Sequence, residues 1–258
     1  MTLPSFDPPW PPRERVAPRI YALEVIDHRR PNRPVAATIL VERVETVERD
    51  RDGRLLRAML SLHFRRMRPA DEKGHFDRRP AFSGCYEPYT PDGPLTVLTS
   101  GSVSNGAVFL DLPGLEGLRI GTYLMNQIVV WAKQWPDAAV RPVTLLASQG
   151  HDENRDRRNR FYEQFGLTFD YSDGDRRAGQ SRPMSASALV PTEAWRANLR
   201  IIPIEELLGE LLTEKKRLTV DLASRTRALN DLKESHLRAV RHPIWWATSQ
   251  VMSRLWPF

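Results

Sequence analysis

Residues 114 to 135, GLEGLRIGTYLMNQIVVWAKQW, set Gly117 and Gly121 four residues apart at the start of an apolar helical repeat. The first turn of a helix offers unpaired backbone N–H groups at the positive end of its dipole, which suits a phosphate. Neither glycine carries a Cβ, so a ligand can approach the backbone closely there. Arg119 stands between them, and Arg155, Arg157, Arg158 and Arg160 follow on a later polar stretch. A guanidinium fork matches phosphate oxygens. The plain alternatives are a capped core helix and a solvated helix face. The turn is not a Walker loop, because no Gly-Lys-Ser/Thr follows, nor does its glycine spacing fit the dinucleotide fingerprint. Other chemistries are poorly supplied. The histidines (28, 63, 75, 151, 236 and 242) show no zinc spacing, and no Gly-x-Ser-x-Gly elbow occurs. Cys85 is the single cysteine, which excludes an intrachain disulfide and a cysteine-based metal cluster.

The turn has to be carried by regular elements. Behind it Leu124, Ile128, Trp131 and Trp135 recur at helical spacing, and Met125, Val129 and Ala132 widen the stripe, so this helix should lie on a sheet. The apolar runs AVFLDL before it and VTLLAS (143–148) after it read as strands joined by a right-handed crossover. Upstream, residues 35 to 66 read as a long hairpin turning at Asp52-Gly53. Its second arm alternates Leu56, Ala58, Leu60, Leu62 and Phe64 with mostly polar residues. RIYALEVI adds a strand before it, and the Pro-, Gly- and charge-rich residues 67 to 94 read as a loop. A second hairpin, LTVLTSGSVS to AVFLDL, turns at Asn105-Gly106. Downstream, DENRDRRNRFYEQF reads as a polar helix stopped by Gly166, with LTFDYS and SASALV as closing strands.

GLRIGTYLM, followed by an apolar strand and then NRFYEQFGLTFDY, resembles the GNAT superfamily of acetyl-CoA-dependent N-acetyltransferases. The resemblance covers about residues 95 to 190. Of the family's glycine pattern before the long helix only Gly121 matches; Glu116 and Arg119 depart from it, while FYEQFGL matches the family's Tyr-Glu-x-x-Gly-Phe helix end well. The resemblance implies an α/β (α+β) fold: a mixed, mostly antiparallel sheet flanked by helices. It further implies acetyl-CoA as co-substrate, no metal, and a primary amine as acceptor, in a small molecule or a protein. The pyrophosphate and pantetheine would be held by Leu112, Gly117, Arg119, Ile120, Gly121, Thr122, Asn154 and Arg158, with Tyr162 as the acid that protonates the departing thiolate. Asp111, on AVFLDL just before the turn, is the candidate base, and His63 is a second option; each also reads as a structural or surface residue. Tyr162 has a packing alternative beside Phe161 and Phe165. A second class of function stays open: a GNAT-like fold that has lost catalysis and serves as a binding or scaffolding module.

The chain of 258 residues divides into a proline-rich arm (1–17), an acetyltransferase-like domain (18–200), a helical arm (201–241) and a Trp-rich tail (242–258). Hydrophobic residues at 41 % allow a packed interior, and a mean hydropathy of −0.47 suits a protein in water. Lys and Arg exceed Asp and Glu by 38 to 32, which favours anionic ligands; nucleic-acid binding would rest on that charge alone and is not favoured. The lone cysteine, and a start without an apolar signal-like run, lead to the expectation of a cytoplasmic protein.

From Ile204 a heptad frame sets Leu208, Lys215, Leu222, Leu229 and His236 at one seam position. Leu211, Leu218, Arg225, Leu232 and Ala239 take the other. Seven of these ten are apolar, which predicts self-association through 204–240, with a helix folded onto the sheet domain as the alternative. Pro243 breaks the tail from this helix. The tail's tryptophans and arginines suit a membrane interface, though packing on its own domain or on a protein partner is the plainer reading.

Overall fold

The computed structural model describes residues 13–15, 19–29, 34–67, 82–100, 112, 114–150 and 152–255. The Asn105-Gly106 turn, residues 107–111 of AVFLDL with Asp111, residues 1–12, Trp256 and Phe258 lie outside them. Contacts divide the chain into two compact units, Met1–Ile204 and Glu205–Phe258.

The first unit is a mixed α/β structure around a large, mostly antiparallel sheet. Its strands are β1 (Arg13–Arg15), β2 (Arg19–Ile26), β3 (Val35–Arg49), β4 (Leu55–Arg66), β5 (Phe82–Glu87) and β6 (Leu95–Ser100). Helix α1 (Ile120–Ala132) precedes β7 (Ala139–Val140) and β8 (Thr144–Leu145). Helix α2 (Asp152–Glu163) is followed by β9 (Phe169–Tyr171), β10 (Gly179–Ser181), β11 (Met184–Ser185) and β12 (Leu199–Pro203). The strand order is β11-β7-β6-β5-β4-β3-β2-β12, with β1 paired to the far end of β3; β8, β10 and β9 form a small separate sheet.

The long hairpin forms as its alternation predicts, but its turn is wider. Asp50 N–H bonds to the Arg54 carbonyl at 2.9 Å, leaving three loop residues, and Gly53 closes them at φ 80°. A three-residue loop with a left-handed glycine keeps the strand twist. The carboxylate of Asp50 accepts from the N–H groups of Asp52 and Arg54, which fixes the loop.

The predicted loop 67–94 is corrected: Phe82–Glu87 is an internal strand of the sheet, and β5 and β6 pair across residues 88–94. FSGCYE is short and polar-spaced, so its strand character comes from its neighbours. Leu60, Gly84 and Leu98 stand opposite one another beneath α1. A Cβ on Gly84 would sit 2.8 Å from Trp131, so glycine at this point lets the helix dock. The predicted stripe is the docked face: Leu124, Met125, Ile128, Val129, Trp131 and Ala132 are buried, and Trp135 stacks on Tyr86 with ring centroids 4.2 Å apart.

The crossover also lands elsewhere. β6 runs parallel to β7, pairing Leu95 with Ala139 and Thr96 with Val140, whereas VTLLAS supplies only the two residues of β8 and then a 3-10 turn. SASALV is likewise mostly a 3-10 turn, Ala186–Ala188, after the two-residue β11. The final strand, β12, was not foreseen. It pairs with β2 from Leu199↔Val25 to Pro203↔Tyr21, so the sheet continues past residue 200.

The second unit comprises α3 (Ile204–Arg241) and α4 (Pro243–Leu255), which meet at His242. Along α3 the seam leucines 208, 211, 218, 222, 229 and 232 are exposed. Among the described residues no helix is long and apolar enough to cross a membrane.

Candidate functional site

The approach to α1 is a run of tight turns. Leu115 N–H bonds to the Leu112 carbonyl at 3.0 Å, and Leu118 N–H to the Leu115 carbonyl at 3.3 Å. Gly114, Gly117 and Arg119 take left-handed conformations at φ 79°, 76° and 63°. Glycine adopts this region freely; for Arg119 it costs about 1–2 kcal/mol. The strain is held by Leu112, Leu115 and Leu118, which anchor the turn in the core. Arg119 is the N-cap residue and provides no side-chain cap. The first helical bond is from Tyr123 N–H to the Arg119 carbonyl, at 3.0 Å. The amides of Ile120, Gly121 and Thr122 precede that bond, and among the described residues they have no acceptor. They point from the positive end of a 13-residue helix dipole.

Helix α2 forms the opposite wall. Asn154, Arg157, Arg158 and Phe161 share one face at helical spacing. Gly166, at φ 87°, ends this helix through its N–H to the Glu163 carbonyl, as its position predicts. That ending packs Phe165 and Leu167 into the core and holds Tyr162 beside Phe161 and Phe169, at ring-centroid distances of 5.0 and 5.9 Å. Gln164 reaches across to Thr122 Oγ1 at 3.4 Å, linking the two helices.

Between these walls lies a cleft of about 690 Å³. Nine residues singled out in the sequence line it: Leu112, Gly117, Arg119, Ile120, Gly121, Thr122, Asn154, Arg158 and Tyr162. Asp111 lies outside the described residues. His63 sits on β4 opposite Glu42 and is not among the lining residues. Phe161, Gln164 and Ser148 also line the cleft and were missed. The helical repeat running forward from Asn154 through Arg157 and Arg158 would have found Phe161; nothing local marks Ser148, which follows β8.

Two charged side chains of the lining are engaged by the protein itself. Glu116, which departs from the family's glycine pattern in the turn, folds back on its own loop. Its carboxylate accepts from its own N–H and that of Gly114, and Arg157 and Arg29 add attraction, so it is held below the ordinary glutamate value. Arg158 is buried, and its fork bonds mainly to protein: Nη1 to the Leu146 carbonyl at 2.9 Å, Nη2 to the Arg177 carbonyl at 2.7 Å, and Nε to Asn159. Burial lowers its pKa. It ties α2 to β8 and to the loop before β10, so its first task is structural. Arg119, Arg157 and Arg160 are exposed at the rim, where Asp156 pairs with Arg155 at 3.0 Å. Among the described residues no group of three or more acidic, His or Cys side chains could hold a metal ion.

The cleft thus combines a helix N-terminus, a cationic rim and a buried phenol against an apolar floor. Comparison with protein-family models, characterised proteins and solved structures finds no match for this chain.

Proposed function

We propose that the first unit is a GNAT-type N-acetyltransferase, moving an acetyl group from acetyl-CoA to a primary amine by direct attack on the thioester. What carries the reading is the meeting of the α1 turn and Tyr162 in one cleft, from segments about forty residues apart in sequence. The amides of Ile120, Gly121 and Thr122 receive the diphosphate, and Arg119 supplies positive charge beside them. The pantetheine arm runs past Asn154 toward Tyr162. The amine must arrive neutral: a lysine-like amine with pKa about 10.4 is unprotonated in roughly one molecule in 2,500 at pH 7, so a base or a water relay removes its proton. Attack forms the C–N bond and a tetrahedral intermediate. Its collapse breaks the C–S bond, and the phenol of Tyr162 gives its proton to the leaving thiolate. Holding both reactants together supplies much of the acceleration.

A titration with acetyl-CoA in a thermal-unfolding assay tests this. A ligand at a hundred times its Kd stabilises by about 2.7 kcal/mol. A midpoint that stays put at saturating acetyl-CoA would end the reading.

The second reading is a GNAT-like module without catalysis that self-associates through α3. It is favoured by the Glu116 carboxylate in the turn and by Arg158 being committed to carbonyls. The exposed leucines of α3 fit association in either case. Sedimentation velocity should show a dimer or larger assembly that Leu222→Lys with Leu229→Lys converts to monomer. A monomeric parent chain removes the association. Acetyl-CoA binding with no transfer to any amine in a broad panel would select the second reading.

A further inference from the structure

Helix α4 presents an apolar face unlike the seam of α3. Ile244, Trp245, Val251 and Met252 are 81 %, 69 %, 57 % and 61 % exposed. At 100° per residue, with Thr248 among them, they span an arc of roughly 120°. That is broader than a coiled-coil seam, and it contains no charge. The charge from its approach onward is basic. Residues 204–234 carry six basic against seven acidic side chains, whereas 235–258 carry Arg238, Arg241 and Arg254 against none, the nearest carboxylate being Glu234, 3.9 Å from the Arg238 guanidinium one turn back. An apolar face of this size needs cover. The absence of carboxylates selects an anionic cover, and an indole on a helix face favours the boundary between water and hydrocarbon. With 13 residues, α4 can lie in such a boundary but cannot span it.

We propose that α4 is an interfacial anchor that lays this face into the surface of an anionic lipid bilayer, with Arg238 and Arg241 at the acidic headgroups. The proposal is independent of the chemistry assigned to the cleft. It differs from the simplest sequence expectation because four large apolar side chains of α4 remain open to solvent.

The full chain is sedimented with vesicles of phosphatidylcholine alone and of equimolar phosphatidylcholine and phosphatidylglycerol. Expected is co-sedimentation with the anionic vesicles, little with the neutral ones, and release as salt rises. Each arginine near an anionic surface contributes about fivefold, so Arg238→Gln with Arg241→Gln should weaken binding roughly 30-fold. Ile244→Asp with Val251→Asp should abolish it, while circular dichroism and soluble yield stay unchanged. Equal recovery with both vesicle types, or no recovery with either, overturns the proposal. So does a result in which the aspartate variant dissociates a wild-type oligomer without altering lipid binding, which would make the face a protein–protein seam.

Discussion

Replacing Tyr162 by Phe separates chemistry from packing. The side chain is 6 % exposed, and its ring makes edge contacts with Phe161 and Phe169 that a phenyl ring preserves. Losing one buried hydroxyl costs about 1 kcal/mol. For a chain of this size that lowers Tm by about 2–4 °C. The cleft walls keep their shape, so stabilisation by acetyl-CoA should persist. Transfer should not. A positioned general acid contributes about 10²–10⁴ in rate. A thiol with pKa near 8.5 leaves tolerably well as an anion, which puts the loss at the low end, about 100-fold or roughly 2.7 kcal/mol. Thiol release followed with a chromogenic disulfide, under saturating acetyl-CoA and an accepted amine, measures it. Unchanged kcat in a variant that still binds acetyl-CoA would refute the assignment and leave Tyr162 as core.

Three further outcomes follow from the geometry. Gly84→Ala forces a methyl to 2.8 Å from Trp131 and 3.0 Å from Ile128, so α1 must shift, and urea denaturation should show a loss of about 1–3 kcal/mol. Arg158→Gln leaves the Leu146 and Arg177 carbonyls short of a charged donor and should cost about 3 kcal/mol of stability; a large loss of acetyl-CoA affinity with Tm intact would instead return this guanidinium to the ligand. Glu116 has its folded pKa depressed, chiefly by backbone N–H groups, so its stabilisation is present above the unfolded value near 4.3 and is lost as pH falls through the lower folded value. Glu116→Gln should flatten the acid side of a Tm-against-pH curve and tighten acetyl-CoA binding at pH 7 by removing a negative charge beside the diphosphate.

What the chain dictates by itself is local. The spacing of Leu124, Ile128 and Trp131 specifies an amphipathic helix, because a 3.6-residue period has one way to gather those side chains. Gly166 specifies where α2 stops, and Pro243 where α3 gives way to α4. The alternation through Ala58, Leu60 and Leu62 specifies a half-buried strand. These residues carry their reasons in their own backbone and periodicity. Strands such as Phe82–Glu87 and Leu199–Pro203 do not. Each is too short to show a period, and each exists because β4 and β6, or β2, offer it hydrogen-bonding partners. The same holds for the cleft. Single glycines and a tyrosine could be picked out in sequence, but only the folded chain brings the α1 amides and the Tyr162 ring to one cavity. Likewise only the fold sends the Arg158 fork into the carbonyls of Leu146 and Arg177, 12 and 19 residues away. Side chains at these distances in sequence share no period, so their partners are decided by packing.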